Sequence, residues 1–72
     1  MSARVDAMYA LLTDEWQSST EIADKMIADG WFRKRTEALP AIREQLNKGE
    51  KYGLCESMSF GAPNPSLWRR KA

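Results

Sequence analysis

The chain has no histidine and a single cysteine, Cys55, among its 72 residues. One thiol cannot form an internal disulfide, and without histidine the usual Cys/His set for structural zinc is missing. The sequence also lacks a nucleophile and general base in any recognisable pattern. We therefore predict that the protein is not an enzyme, needs no cofactor and holds no metal. We interpret Cys55 as a small buried core residue.

Long hydrophobic runs are also missing, since no stretch approaches the roughly 18 apolar residues that a membrane span requires. The N-terminus lacks the basic-then-apolar layout of a secretion signal. Both absences predict a cytoplasmic protein with no membrane partner. The chain is 43% hydrophobic and has three tryptophans. This is enough for one small core, and we predict a single domain over residues 1–72.

Charge is small in total and uneven along the chain. The net charge is +1. Residues 1–32 carry two basic and six acidic residues, a net charge of −4, whereas residues 33–72 carry nine basic and four acidic residues, a net charge of +5. A basic half beside an acidic half would orient the molecule on a polyanion. Ordinary solvated charge with a basic tail is the alternative interpretation.

The first third of the chain predicts a helix followed by a short extended segment. Apolar residues recur at helical spacing over about residues 3–13. Residues 14–17 are too few and too polar for another helix. We expect this segment to place Trp16 in the core and to supply an edge strand to a later hairpin.

A second helix is predicted from the capping box at residues 18–21, of sequence SSTE. In such a box the Ser18 hydroxyl accepts from the Glu21 amide, and the Glu21 carboxylate accepts from the Ser18 amide. Ile22, Ala23, Met26 and Ile27 line one face of this helix. Gly30 is expected to end the segment in the left-handed conformation.

A third helix is expected from about Thr36, whose side chain would cap it, to Gly49. Proline inside a helix costs about 3 kcal/mol, so Pro40 favours a start at Glu37 or later, with the proline in the first turn. The predicted buried stripe is Ala38, Leu39, Ile42 and Leu46. Residues 54–60 then alternate as a strand, residues 61–65 form a turn, and residues 66–71 return with Leu67 and Trp68.

This order of helix, short strand, helix, helix, strand, turn and strand resembles the winged helix superfamily. Residues 18–23 are similar to the start of that family's second helix, and residues 39–49 look like its recognition helix running into the first wing strand. The resemblance implies an α+β fold, a three-helix winged helix-turn-helix with a C-terminal β-hairpin wing. It also implies sequence-specific binding of double-stranded DNA, as in small transcriptional regulators of bacteria and phages.

Family geometry, carried onto this sequence, predicts two groups of DNA-binding residues. Base edges would be contacted by Arg35, Thr36, Glu37, Ala41 and Glu44, with Arg35 bonding guanine and Glu37 bonding cytosine. Phosphates would be contacted by Arg33, Lys34, Arg35, Arg43, Lys48, Arg69, Arg70 and Lys71, and Asn64 at the wing tip would reach a minor groove or a sugar. The alternatives are solvated helix charges for Glu37 and Glu44 and a frayed basic end for residues 69–71. Six neutralised phosphates would give a log-log salt slope of about −5.

A competing hypothesis is a winged helix that binds another protein, such as a regulatory subunit or an inhibitor from a mobile element. Trp31 and Phe32, with Trp68, would then form an exposed apolar patch. Trp68 in the core is our stronger expectation. For the DNA-binding hypothesis we also predict a homodimer or a cooperative oligomer on DNA, because one small module reads too few base pairs.

Overall fold

The computed structural model describes residues 2–61 and 64–71, which form three helices and a three-stranded antiparallel sheet. The elements are α1 (Ala3–Ala10), β1 (Gln17–Ser18), α2 (Ser19–Ala28), α3 (Arg35–Lys51), β2 (Cys55–Met58) and β3 (Leu67–Arg70). The sheet order is β1-β3-β2. The α+β class, the C-terminal hairpin and the early edge strand are confirmed. Ala62 and Pro63, which we assigned to the hairpin turn, lie outside the described residues.

Local hydrogen bonds explain where the first two helices begin and end. The Ser2 hydroxyl accepts from the Val5 amide at 3.2 Å and caps α1, which ends at Ala10, short of the predicted residue 13. The Ser18 hydroxyl accepts from the Glu21 amide at 3.1 Å, as the capping box predicts. The Glu21 carboxylate accepts from the Ser18 hydroxyl at 3.5 Å rather than from its amide. Gly30 has a φ of +85°, which confirms its left-handed conformation.

Our predicted start of the third helix is wrong. The helix begins at Arg35 with Lys34 as its N-cap, so Thr36 lies inside the first turn and does not cap. The Ala38 amide donates to the Lys34 carbonyl at 3.1 Å, so the first turn of the helix is complete before Pro40. Pro40 consequently falls in the second turn, where its missing amide leaves the carbonyl four residues earlier without a helical partner. The helix also continues past Gly49 to Lys51.

The core lies between the helices and one face of the sheet. Its buried side chains are Met8, Leu12, Ile22, Ala23, Met26, Phe32, Ala38, Ile42, Leu46, Cys55 and Trp68. The predicted burial of Trp68 is therefore confirmed, and so is that of three of the four stripe residues of α3. The fourth stripe residue, Leu39, is only half-buried.

The prediction that Trp16 enters the core is wrong. Gln17 pairs with Trp68 across the sheet and shares its helix-facing side, so the strand alternation directs Trp16 to the outer face. There the Trp16 ring is half-buried beneath the Arg69 guanidinium, 4.3 Å from its centroid. The buried Gln17 amide donates to the Leu11 carbonyl and accepts from Lys25 Nζ, each at 3.1 Å. Gln17 is thus a buried polar residue with satisfied hydrogen bonds.

Gly49 allows α1 and α3 to approach closely. The Tyr9 hydroxyl donates to the Gln45 carbonyl at 2.7 Å, and the phenol ring lies directly against the Gly49 Cα. A Cβ at residue 49 would stand 2.6 Å from Tyr9 Oη and 3.1 Å from Cys55 Sγ. Partial burial raises the pKa of Tyr9. The glycine that we expected to stop the helix is therefore a contact site in its interior.

We predict that Gly49→Ala destabilises the protein by up to about 2 kcal/mol, because overpacking costs about 1–3 kcal/mol and the better helix propensity of alanine returns about 1 kcal/mol. Urea unfolding of the purified variant measures the difference. In a Tyr9→Ala background the same substitution should be neutral or stabilising, since the phenol is gone. An equal loss of stability in both backgrounds would contradict the contact as the cause.

Candidate functional site

The exposed side of α3 carries a row of side chains that we call the α3 stripe: Thr36, Pro40, Arg43 and Asn47. Steps of four, three and four residues place them on one face of the helix, and all four are exposed. Only Arg43 among them is charged. Glu37, Glu44 and Lys48 lie to one side of the stripe and are also exposed, and Lys48 Nζ lies 3.9 Å from Glu44 Oε1.

Beside the α3 stripe lies a groove of about 310 Å³ that we call the hairpin groove. It is lined by Ser19, Arg43, Asn47, Pro65, Ser66 and Trp68. Ser19 is the first residue of α2 and is only 5% exposed, and Trp68 is 6% exposed. One guanidinium, one amide and two hydroxyls therefore line the gap between α3 and the start of β3. A groove with donor groups at the N-terminal end of a helix favours an anionic group.

Arg35, the predicted guanine reader, has the Nε/Nη2 edge of its guanidinium bonded within the molecule. Nε donates to Asp24 Oδ1 at 2.8 Å and Nη2 donates to Asp24 Oδ2 at 2.7 Å. The hydrogen bond and the guanidinium charge lower the pKa of the Asp24 carboxyl, and the same hydrogen bond raises the pKa of Arg35. This ion pair connects α2 to the first residue of α3.

DNA binding through the predicted residues requires them to share one surface, and Arg69 and Arg70 do not share a surface with each other. Successive residues of β3 point to opposite faces of the sheet. Arg69 donates from Nε to Glu56 Oε2 at 2.8 Å on the outer face, where it stacks on Trp16. Arg70 donates to the Leu12 carbonyl at 2.7 Å on the helix-facing side. Both arginines have partners at the base of the hairpin.

The other predicted DNA contacts lie in the linker between α2 and α3 (residues 29–34) and in the hairpin turn. Arg33 and Lys34 are exposed, and neither makes an ion pair within residues 2–61 and 64–71. Asn64 is exposed, and its backbone N–H donates to the Gly61 carbonyl at 2.9 Å. These three residues keep the exposure that the prediction requires.

Ala41 is not on the exposed face of α3, contrary to our prediction. It is half-buried against the core and lines a small cavity with Val5, Met8, Phe32 and Ile42. Arg4 covers this cavity, with its guanidinium 5.0 Å from the Phe32 ring centroid. Because α3 packs toward α1 through Ala41 and Gly49, its exposed face is displaced toward Arg43 and Asn47.

The structure adds Ser19, Asn47 and Ser66 to the candidate residues, and sequence analysis missed all three. A signal for Asn47 was available, because it lies four residues after Arg43 and eleven after Thr36 on the same helical face. Ser19 and Ser66 had no such signal, because only the tertiary contact of α2 with the hairpin brings them together.

Cys55 lies at the back of α3 and away from the hairpin groove. Its thiol is buried and donates to the Leu46 carbonyl at 3.3 Å. Burial, with a smaller contribution from the Glu50 charge, raises the pKa of Cys55, which keeps the thiol protonated near neutral pH. Across the described ranges, no three His, Cys, Asp or Glu residues are grouped as metal ligands. In the same ranges no helix is long and apolar enough to cross a membrane.

Comparisons with known proteins leave the resemblance to the winged helix superfamily as a prediction. Searches of protein-family models, curated proteins and solved structures find no significant match to the chain. The agreement with that superfamily lies in the order of the elements and in the C-terminal hairpin after α3.

We predict that the Asp24 carboxyl titrates below 3.8, the ordinary value for aspartic acid, because Arg35 stabilises its ionised form. Because the Asp24 pKa is lower in the folded state than in the unfolded state, the ion pair stabilises the fold at pH values above the unfolded-state pKa. This stabilisation is lost as the pH falls through the folded-state pKa. NMR titration of the carboxyl carbon measures the midpoint. Arg35→Gln should raise it and Arg4→Gln should not. A midpoint that Arg35→Gln leaves unchanged would contradict the pairing.

Proposed function

We propose that the protein binds double-stranded DNA, with the α3 stripe in the major groove and the hairpin groove on the phosphate backbone. The observation that carries this proposal is the hairpin groove itself, where Arg43, Asn47 and Ser66 meet the N-terminal end of α2. An α-helix fits the major groove, and hydrogen-bond donors beside it fix the position of the protein on the duplex.

The α3 stripe offers a short set of groups for reading bases. Asn47 can bond adenine through both atoms of its amide, and Arg43 can bond guanine or a phosphate. Thr36 adds a hydroxyl and a methyl group near the start of the helix. Glu37 and Glu44 flank the stripe and disfavour deep entry except beside a cytosine amino group.

The number of available cations sets the salt dependence that we expect. Arg35, Arg69 and Arg70 hold hydrogen bonds of 2.7 to 2.8 Å to oxygens of the molecule. This leaves Arg33, Lys34, Arg43 and Lys48 for phosphates, with Lys48 in only a long contact of 3.9 Å to Glu44. Four neutralised phosphates give a slope of about −3 to −4 for the logarithm of the binding constant against the logarithm of salt concentration. This slope is shallower than the value of about −5 expected from six contacts.

We further propose that the biological role is regulation of transcription in a bacterium or a phage, with the protein acting as a dimer or a cooperative oligomer on DNA. One module of this size contacts few base pairs, so neighbouring copies supply the remaining discrimination. The α3 stripe has only four residues, which supports the need for neighbouring copies.

The competing hypothesis of protein binding has lost the feature that motivated it. Phe32 is only 6% exposed and belongs to the core, while Trp31 is 38% exposed. Trp68 is buried as well. The three aromatic residues therefore do not form one exposed patch, and the polar hairpin groove favours DNA over a hydrophobic protein surface.

Fluorescence titration of a labelled random duplex, at several salt concentrations, tests the proposed function. We expect Arg43→Gln to weaken binding about fivefold to tenfold at 0.1 M salt, the value of about one phosphate contact. Arg4→Gln is the matched control, because it removes the same charge from α1 and should weaken binding less than about twofold. Thermal unfolding verifies that both variants are folded.

Two results would count against DNA binding at this site. One is a wild-type protein that does not bind duplex even at low salt. The other is an equal loss of affinity for both arginine variants, which would assign binding to net charge alone.

A further inference from the structure

The ion pair between α2 and α3 engages one of three consecutive cations at the start of α3. Arg33, Lys34 and Arg35 are consecutive, and all three are exposed. Among contacts between described residues, Arg35 alone of the three holds a carboxylate, through two hydrogen bonds of 2.7 and 2.8 Å to Asp24. The side chains of Arg35 and Asp24 are 59% and 48% exposed, so solvent and ions reach the pair.

We propose that Asp24 limits the affinity of the protein for DNA by competing with a backbone phosphate for the Arg35 guanidinium. This inference rests on the proposed function. Asp24 is a positioning residue, because it acts on DNA binding through the side chain of Arg35. In the free protein, Asp24 holds the guanidinium fork against α2.

The chemistry of the fork makes the competition direct. A guanidinium binds a carboxylate or a phosphate through a pair of parallel N–H donors, and Asp24 occupies the Nε/Nη2 pair of Arg35. A phosphate therefore has to displace Asp24 from this pair, or bind the remaining donors with the negatively charged Asp24 carboxylate directly beside it. An ion pair this exposed contributes little net stability, so a phosphate is able to displace the carboxylate.

The displaced carboxylate opposes the exchange. Once Arg35 turns to a phosphate, Asp24 is left ionised and unpaired close to a polyanion, where like charges repel. Its nearest cation along α2, Lys25, donates to the buried Gln17 amide oxygen at 3.1 Å. The repulsion therefore has no nearby compensation on α2, and the chain uses fewer phosphate contacts than its basic linker offers.

A comparison of two aspartates separates this effect from a change in net charge. Asp24→Asn frees Arg35, while Asp29→Asn removes one negative charge from the exposed C-terminal cap of the same helix. With a random duplex at 0.1 M salt, we expect Asp24→Asn to tighten binding about fivefold to tenfold and to steepen the salt slope by about 0.9. Asp29→Asn should change the affinity by less than about twofold and leave the slope unaltered.

Arg35→Gln, alone and combined with Asp24→Asn, identifies the residue through which Asp24 acts. We expect Arg35→Gln to cost much more affinity in the Asp24→Asn background than in the wild-type background. A loss of helix geometry would not produce this dependence together with a steeper salt slope. Circular dichroism and thermal unfolding verify the fold of all four variants.

The outcomes distinguish the two proposals. Duplex binding with the same affinity and slope for both asparagine variants overturns the role of Asp24 and leaves the proposed function standing. An Arg35→Gln loss of equal size in both backgrounds also overturns it, because Arg35 would already contact DNA in the wild type. No duplex binding by any variant at low salt overturns the proposed function and this inference together.

Discussion

The packing of α3 on α2, with α1 in close contact at Gly49, determines which side of α3 faces outward. Tyr9 occupies the space where a side chain at residue 49 would lie, and its hydroxyl is bonded to the Gln45 carbonyl. Ala41, two turns earlier, packs toward the same side. Because the buried flank of the helix packs mainly on α2, with α1 in contact at Ala41 and Gly49, the opposite side presents Arg43 and Asn47 beside the hairpin. The hairpin groove therefore depends on a contact made on the far side of the helix.

The sheet separates the two arginines of β3, Arg69 and Arg70. A cationic pair in consecutive strand positions cannot act on one surface, because the pleat sends Arg69 to the outer face and Arg70 to the inner face. Each finds an oxygen acceptor within the molecule. The basic half of the chain is thus partly neutralised at the base of the hairpin, while Arg33, Lys34 and Arg43 form no ion pair with another described residue. The positive charge counted along the sequence is therefore larger than the unpaired positive charge that a polyanion would contact on the surface.

Local patterns predicted the architecture well and the site only in part. The Ser18 cap and the left-handed Gly30 are signals within a few residues, and both appear in the structure where expected. The strand predicted over residues 54–60 is present but shorter, from Cys55 to Met58, and its burial does not alternate. The position of Pro40 was misjudged because helix propensity was weighed without the tertiary packing that holds α3 together. Trp16 was misjudged because hydrophobicity does not specify which face of a two-residue strand is covered. The partners of Arg35, Arg69 and Arg70 are distant in sequence, so no local signal indicated them.

The Gln17 amide has a consequence for how the protein ages. Its nitrogen donates to the carbonyl of Leu11, beyond the end of α1, and its oxygen accepts from Lys25 of α2, so one buried side chain joins three segments through opposite ends of a single group. Slow hydrolytic deamidation would replace that nitrogen by oxygen and set two acceptors against each other in a place that water hardly reaches. This change of one atom would weaken the contacts of α1 and α2 with the edge of the sheet.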